Sequence, residues 1–263
     1  TGSALPPHRL PSVTALQATG RPTPCMHLAA NSWTDARDAD TDLAILPVGS
    51  TEQHGPHAPL GVDFMTAEAI AAQAAQSYDD EVVVAPSVPV GIAEEHRAFD
   101  GTLWVTEDSF RDYVGDVLRS LAHSGFDRVV VVNGHGGNTD ALAEICMRVS
   151  RDDECYAVPF TWFDVVDSEL PLGHGGPVET SVMLAIAPQL IQQDRYPEAA
   201  EGAGDSFGEF VAGANLAYDF DEFSESGNLQ DPTPASVSEG ERLLEAAAES
   251  CVELLEAVAE RER

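Results

Sequence analysis

Lysine is absent from all 263 residues, so the 13 basic side chains are all arginine. That excludes a Schiff-base lysine, a pyridoxal-phosphate anchor and a P-loop lysine. Cysteine is scarce. Cys25, Cys146, Cys155 and Cys251 show neither C-x-x-C spacing nor the density of a disulfide framework, and they read as reduced intracellular thiols. No apolar run approaches the length of a membrane span and no secretory leader is apparent, so a soluble cytoplasmic protein is the expectation. Positive charge is short as well: 45 Asp and Glu stand against 13 Arg, a formal net of −32. This acid excess is spread along the chain beyond residue 25 and disfavours nucleic acid and anionic membrane as partners. It suits a surface adapted to concentrated salt, where carboxylates hold water and screening removes their repulsion.

Hydrophobic residues make up 43% of the chain, enough for a core, and the length suits one α/β domain. Residues 1–25 differ in carrying no Asp or Glu and much proline, and are expected to be a disordered or mis-started extension before a domain over 26–263. Leu43–Val48, Glu81–Ala85, Arg128–Val132 and Cys155–Phe160 read as strands. Between them, Asp63–Tyr78 is alanine-rich and opens on an acid suited to an N-cap. Phe110, Val114, Val117 and Leu121 follow helical spacing, as do Leu142, Ile145 and Val149, and Arg242–Arg261 forms a closing amphipathic helix. Near-continuous apolar strands alternating with helices predict a mainly parallel, four-stranded sheet flanked by helices on both faces. Residues 200–234 are Gly- and acid-rich without periodicity and are expected to serve as a lid or a subunit contact.

Three histidine-glycine clusters carry the chemistry. The first, Glu52-Gln53-His54-Gly55-Pro56-His57 with Asp63 behind it, follows the first strand. It sets two carboxylates and two imidazoles where α/β folds build sites, a donor mix that suits a divalent metal. The second is His135 in Asn133-Gly134-His135-Gly136-Gly137-Asn138, after the third strand. A glycine turn there can cradle phosphate; with a central histidine and no lysine, a ligating imidazole is favoured. The third is His174-Gly175-Gly176 followed by Glu179, an acid at the start of an apolar helix that needs a partner or the helix dipole. Glu94-Glu95-His96 is a weaker candidate, since adjacent acids in such a composition are usually solvated. No G-x-S-x-G elbow and no cysteine beside a histidine supports a covalent nucleophile.

In order and spacing, Val48–His57, Asp63, Asn133–Asn138 and His174-Gly175-Gly176-x-x-Glu179-Thr180-Ser181 resemble the creatininase (creatinine amidohydrolase) family, from about Met26 to the final helix. The resemblance implies a creatininase-like α/β fold, two divalent ions (Zn, Mn or Fe) and a homo-oligomer, often a hexamer. It assigns Glu52, His54, Asp63 and His135 as metal ligands with Asp63 bridging, and His174 as the proton-transferring group. Gly137 stands where creatininase proper places a glutamate ligand, so Glu179 is expected to supply that carboxylate beside His174. His96, Trp162 and Gly136 are the expected substrate contacts. The implied activity is hydrolysis of a C–N bond in a small creatinine-like cyclic amide by metal-activated water. Alternatives are a formamide of riboflavin or deazaflavin synthesis, a modified peptide, and a non-catalytic metal- or ligand-binding protein. The acid surplus adds a halophilic archaeon as the expected source.

Overall fold

A computed structural model describes residues 25–262. Five strands form one parallel sheet: β1 Cys25–His27, β2 Leu43–Val48, β3 Val82–Val84, β4 Arg128–Asn133 and β5 Tyr156–Thr161, in the order β1-β3-β2-β4-β5. The expected count of four is corrected by β1, which pairs with the outer edge of β3 from Cys25 opposite Val82 to His27 opposite Val84. Three residues without β-branching carry no strand signal of their own; the open backbone edge of β3 supplies the pairing. Cys25 thus belongs to the sheet, and the rest of the expected extension lies outside the described residues.

Alternation along β2 explains the two layers. After a short α1 (Trp33–Asp38), Leu43 and Ile45 face α2 (Val62–Ser77) and the long C-terminal helix (Val237–Glu260), whereas Ala44, Leu46 and Val48 face α3 (Glu107–His123) and α4 (Thr139–Arg151). The helix α5 (Pro177–Ile186) packs beside the C-terminal helix. A Cβ on Gly240 would lie 1.8 Å from Ser181 O, so only glycine allows that crossing. Leu243, Ala247, Cys251 and Leu255 bury the inner face of the long helix completely, with each leucine contributing about 1.5–3 kcal/mol.

The chain leaves β2 for β3 on one side and returns to β4 on the other. The crevice at the carboxyl ends of β2 and β4 is therefore the switch point where α/β sheets bind ligands. One local expectation changes. Gly61, not Asp63, occupies the N-cap of α2, and Asp63 lies in its first turn, 2% exposed.

Candidate metal centre

Two glycines build the centre. A Cβ on Gly49, after β2, would sit 2.3 Å from Phe64 N, and one on Gly134, after β4, would sit 2.2 Å from Asp63 O. Their bare backbones let the first turn of α2 enter the crevice and carry Asp63 between the Glu52–His54 loop and the His135 loop. Glu52 and His54 are fully buried and His135 nearly so. Glu179 joins from the first turn of α5, where Gly175 N–H donates to its Oε2 at 2.6 Å.

The imidazoles share one arrangement. His135 donates from Nε2 to Ile92 O at 2.6 Å, and His54 from Nδ1 to Glu52 O at 3.1 Å. A carbonyl only accepts, so each neutral ring keeps its proton there and presents a bare nitrogen inward. For His135 that nitrogen lies 3.1 Å from Glu52 Oε2 and 3.3 Å from Asp63 Oδ2. For His54 it lies 3.0 Å from Asp63 Oδ1 and 3.7 Å from Glu179 Oε2. A lone pair facing carboxylate oxygens is repulsive unless a cation sits between them. Both oxygens of Glu52 and Oδ2 of Asp63 are buried without a hydrogen-bond partner, an arrangement costing several kcal/mol when uncompensated, ~3–5 by the effect of breaking buried pairs. Three donor sets converge among the described residues: Glu52, Asp63 and His135; His54, Asp63 and Glu179; and Glu52, His54 and His174; the first two share Asp63. The mixed imidazole and carboxylate sets fit Zn, Mn or Fe.

Without metal, protons take that place. Burial opposes charge on His54, but Asp63, Glu179 and Glu52 outweigh it and push its pKa up to about 9. Burial likewise opposes charge on His135, and Glu52 and Asp63 hold it well above the usual imidazole range. Burial raises Glu179 to about 7, while Asp63, despite its burial, is held below the ordinary carboxylate range by His54 and His135.

His174 lines a cavity of about 600 Å³ above this centre, together with Gly136, Phe163, Phe207 and Phe220. Its Nε2 donates to Gln53 O, leaving Nδ1 bare at 3.5 Å from Glu52 Oε1. Burial and the neighbouring His54 keep its pKa well below the usual value, so the ring is neutral. His96 also lines the cavity, though only 1% exposed, with its ring stacked on Phe220 at 4.2 Å and its Nε2 3.3 Å from Glu52 Oε1. Trp162, expected as an aromatic wall, is instead in the core at 2% exposure. Both residues lie in the 3₁₀ turn Trp162–Asp164 that follows β5, and Phe163 is the one that faces the cavity.

The sequence motifs left Gln53 without a role. Its Nε2 donates to Gly227 O at 2.6 Å and to His96 Nδ1 at 2.8 Å, while its Oε1 accepts from Gly55 N–H at 2.9 Å. It thereby sets the His96 tautomer and ties residues 200–234 to the metal loop; its place inside the first motif was the only available signal. Phe220 had none, lying in an aperiodic stretch. His57 faces away from the carboxylates, its Nε2 2.9 Å from Thr180 Oγ1, and joins the loop to the start of α5.

Residues 29–255 match the family model described as creatinine amidohydrolase. The chain belongs to the creatininase family. A relative in Mycolicibacterium smegmatis named mycofactocin precursor peptide peptidase is 35% identical over 221 residues, 80% of this chain and 83% of that protein. Creatinine amidohydrolase from Pseudomonas putida is 30% identical over 186 residues, 61% and 71% of the two chains. A solved structure of creatininase with Mn superposes with a TM-score of 0.74 at 25% identity, covering 90% of this chain and all of that one. A Zn–Zn type has also been solved.

Proposed function

We propose that this creatininase-family chain is a two-metal amidohydrolase that cleaves an amide C–N bond. The observation that carries the reading is the pair of donor sets sharing Asp63, in which bare imidazole nitrogens face buried carboxylate oxygens that have no other partner. Glu52, Asp63 and His135 hold one cation, and His54, Asp63 and Glu179 the other. Bound there, divalent ions supply Lewis acidity toward water and toward a carbonyl oxygen.

The remaining work falls to the chain's own groups. His174 is neutral, with Nδ1 bare and directed to the centre. It accepts a proton from the attacking water at Nδ1 and returns it to the departing nitrogen. Gln53 O holds the opposite nitrogen and so prevents the ring from turning its N–H inward. His96, stacked on Phe220, accepts from Gln53 at Nδ1 and so keeps its proton on Nε2, which approaches Glu52 Oε1 at 3.3 Å without hydrogen-bonding it. Gly136 leaves open space beside the centre for substrate.

A small cyclic amide of the creatinine kind is one substrate reading. A modified peptide is favoured by two observations: the cavity is far roomier than a single five-membered ring needs, and the peptidase relative matches over most of both chains. The acid surplus and the apolar Phe210, Val211, Leu216 and Tyr218, exposed on and just after an antiparallel hairpin of Phe210–Val211 and Ala214–Asn215, support a homo-oligomer working in concentrated salt inside the cell. The test is to load the protein with Mn or Zn in concentrated KCl, measure metal content by mass spectrometry, and follow creatinine and peptide amides by NMR. Two metals per chain and release of an amine from one amide class are expected. A folded chain that retains less than one metal overturns the reading.

A further inference from the structure

The cavity wall contains charge of one sign only, beyond the groups assigned to metals and proton transfer. Glu95, on a 3₁₀ turn of residues 94–96, is half-buried and lines the cavity beside Gly137. A Cβ on Gly137 would come within 3.2 Å of Glu95 Oε1, so the carboxylate occupies space beside the His135 loop that a side chain at 137 would otherwise claim. Asp205 stands on the opposite wall, contributed by the irregular segment. Among the described residues, no arginine lines the cavity, and the chain has no lysine. The nearest arginine in sequence, Arg97, is held outside by Glu94 and Asp219. The rest of the wall is mostly apolar, with Phe163, Leu172, Phe207, Phe220 and Leu229, and its remaining polar side chains, Ser206 and Gln230, are neutral.

A half-buried carboxylate in such a wall has lost water with no arginine to pair it, and burial pushes its pKa up against the opposing pull of His135. A ligand that brings a positive or N–H-donating nitrogen to it restores what was lost; an anionic ligand compounds the repulsion. Resting on the two-metal reading above, we infer that the cavity selects amides pairing an apolar or aromatic group with a cationic or N–H-donating nitrogen, held at Glu95. Amides with a carboxylate or phosphate near the scissile bond are excluded, which removes free peptide C-termini and nucleotide-like substrates.

Three zinc-directed probes test this: benzohydroxamates carrying a para aminomethyl, methyl or carboxylate group, titrated calorimetrically into the Zn-loaded protein. Measuring in molar KCl cuts the screening length to about 3 Å and silences the general field of an acidic protein. The aminomethyl probe is expected to bind tightest and the carboxylate probe weakest, each step roughly tenfold, the scale of one partly desolvated charge pair. Glu95→Gln is expected to abolish the gap between aminomethyl and methyl probes while zinc content stays unchanged. Asp205→Asn, at an exposed position, serves the same comparison if Glu95→Gln does not fold. Equal affinities for the three probes, or a gap that survives both substitutions, overturn the selectivity and leave the metal centre standing. A protein that holds no zinc, or holds it and binds none of the probes, overturns the two-metal reading and the selectivity with it.

Discussion

Gly134→Ala is expected to empty the metal centre without touching any ligand side chain. The added Cβ would lie 2.2 Å from Asp63 O and 2.8 Å from Asp63 C. An ordinary contact needs roughly 3.4 Å, so the first turn of α2 must retreat by about 1 Å. Both atoms are backbone at the start of a packed helix, and no flexible side chain can yield instead. Overpacking of this kind costs ~1–3 kcal/mol. For a domain of this size that lowers Tm by about 2–4 °C per kcal/mol. The functional effect is larger, because metal–ligand distances tolerate only about 0.2 Å and Asp63 belongs to both donor sets. Metal content after loading is expected to fall from two per chain to below one. Gly136→Ala is the control: a Cβ there meets nothing within 4 Å, so two metals and an unchanged Tm are expected. Elemental mass spectrometry after gel filtration, paired with thermal melts of metal-free protein, reads both effects. A Gly134→Ala protein that binds two metals with wild-type affinity would refute the account of how α2 is seated.

Glu52→Gln is expected to abolish metal retention and turnover, because Glu52 supplies a carboxylate to the donor set it shares with Asp63 and His135; full activity would sink the assignment. The pH dependence of metal-free protein has a definite sign. His54 is raised to about 9, so its stabilisation is complete below pH 6.5 and lost as pH rises through 9; Glu179, raised to about 7, costs stability as pH climbs from 4.5 to 7. Chelator-treated protein should therefore melt at falling temperature from pH 6.5 to 9.5, more steeply than metal-loaded protein, and a flat or rising profile contradicts the geometry. Metal binding at pH 7 should release protons from His54 and His135, read as a dependence of calorimetric heat on buffer ionisation enthalpy. Trp162→Ala should cost ~3–5 kcal/mol of stability as a core cavity, whereas Phe163→Ala should raise KM with metal content unchanged; the reverse pattern would return Trp162 to the cavity wall.

The parts of the fold legible from sequence were those in which local pattern and final environment agree. The valines of β4 and the apolar run of β2 are buried on both faces, so continuous hydrophobicity marked them as central parallel strands. The strand at Cys25–His27 was illegible because its pairing comes from β3, 55 or more residues away, as the partner numbers show. Asp63 looked like an N-cap because acids at helix starts usually are. The glycine contacts from two strands draw it inward instead. Trp162 and Phe163 are equally aromatic in sequence, and only the 3₁₀ turn Trp162–Asp164 after β5 decides which faces the cavity.

By itself the sequence determined the donor chemistry: three carboxylates and several imidazoles next to glycines, no lysine, a large acid excess, and hence the class of centre and the reactions it excludes. Covalent structure and local propensity are sufficient for that. Which nitrogen of each imidazole is bare, that Gln53 and Ile92 O set those tautomers, that Glu95 lines a mostly apolar cavity with no arginine in its wall, and that Phe220 stacks on His96 were decided only by tertiary structure. Each depends on two segments meeting across tens of residues. Hydrogen-bond direction and desolvation are properties of that meeting, and no single stretch of chain carries them.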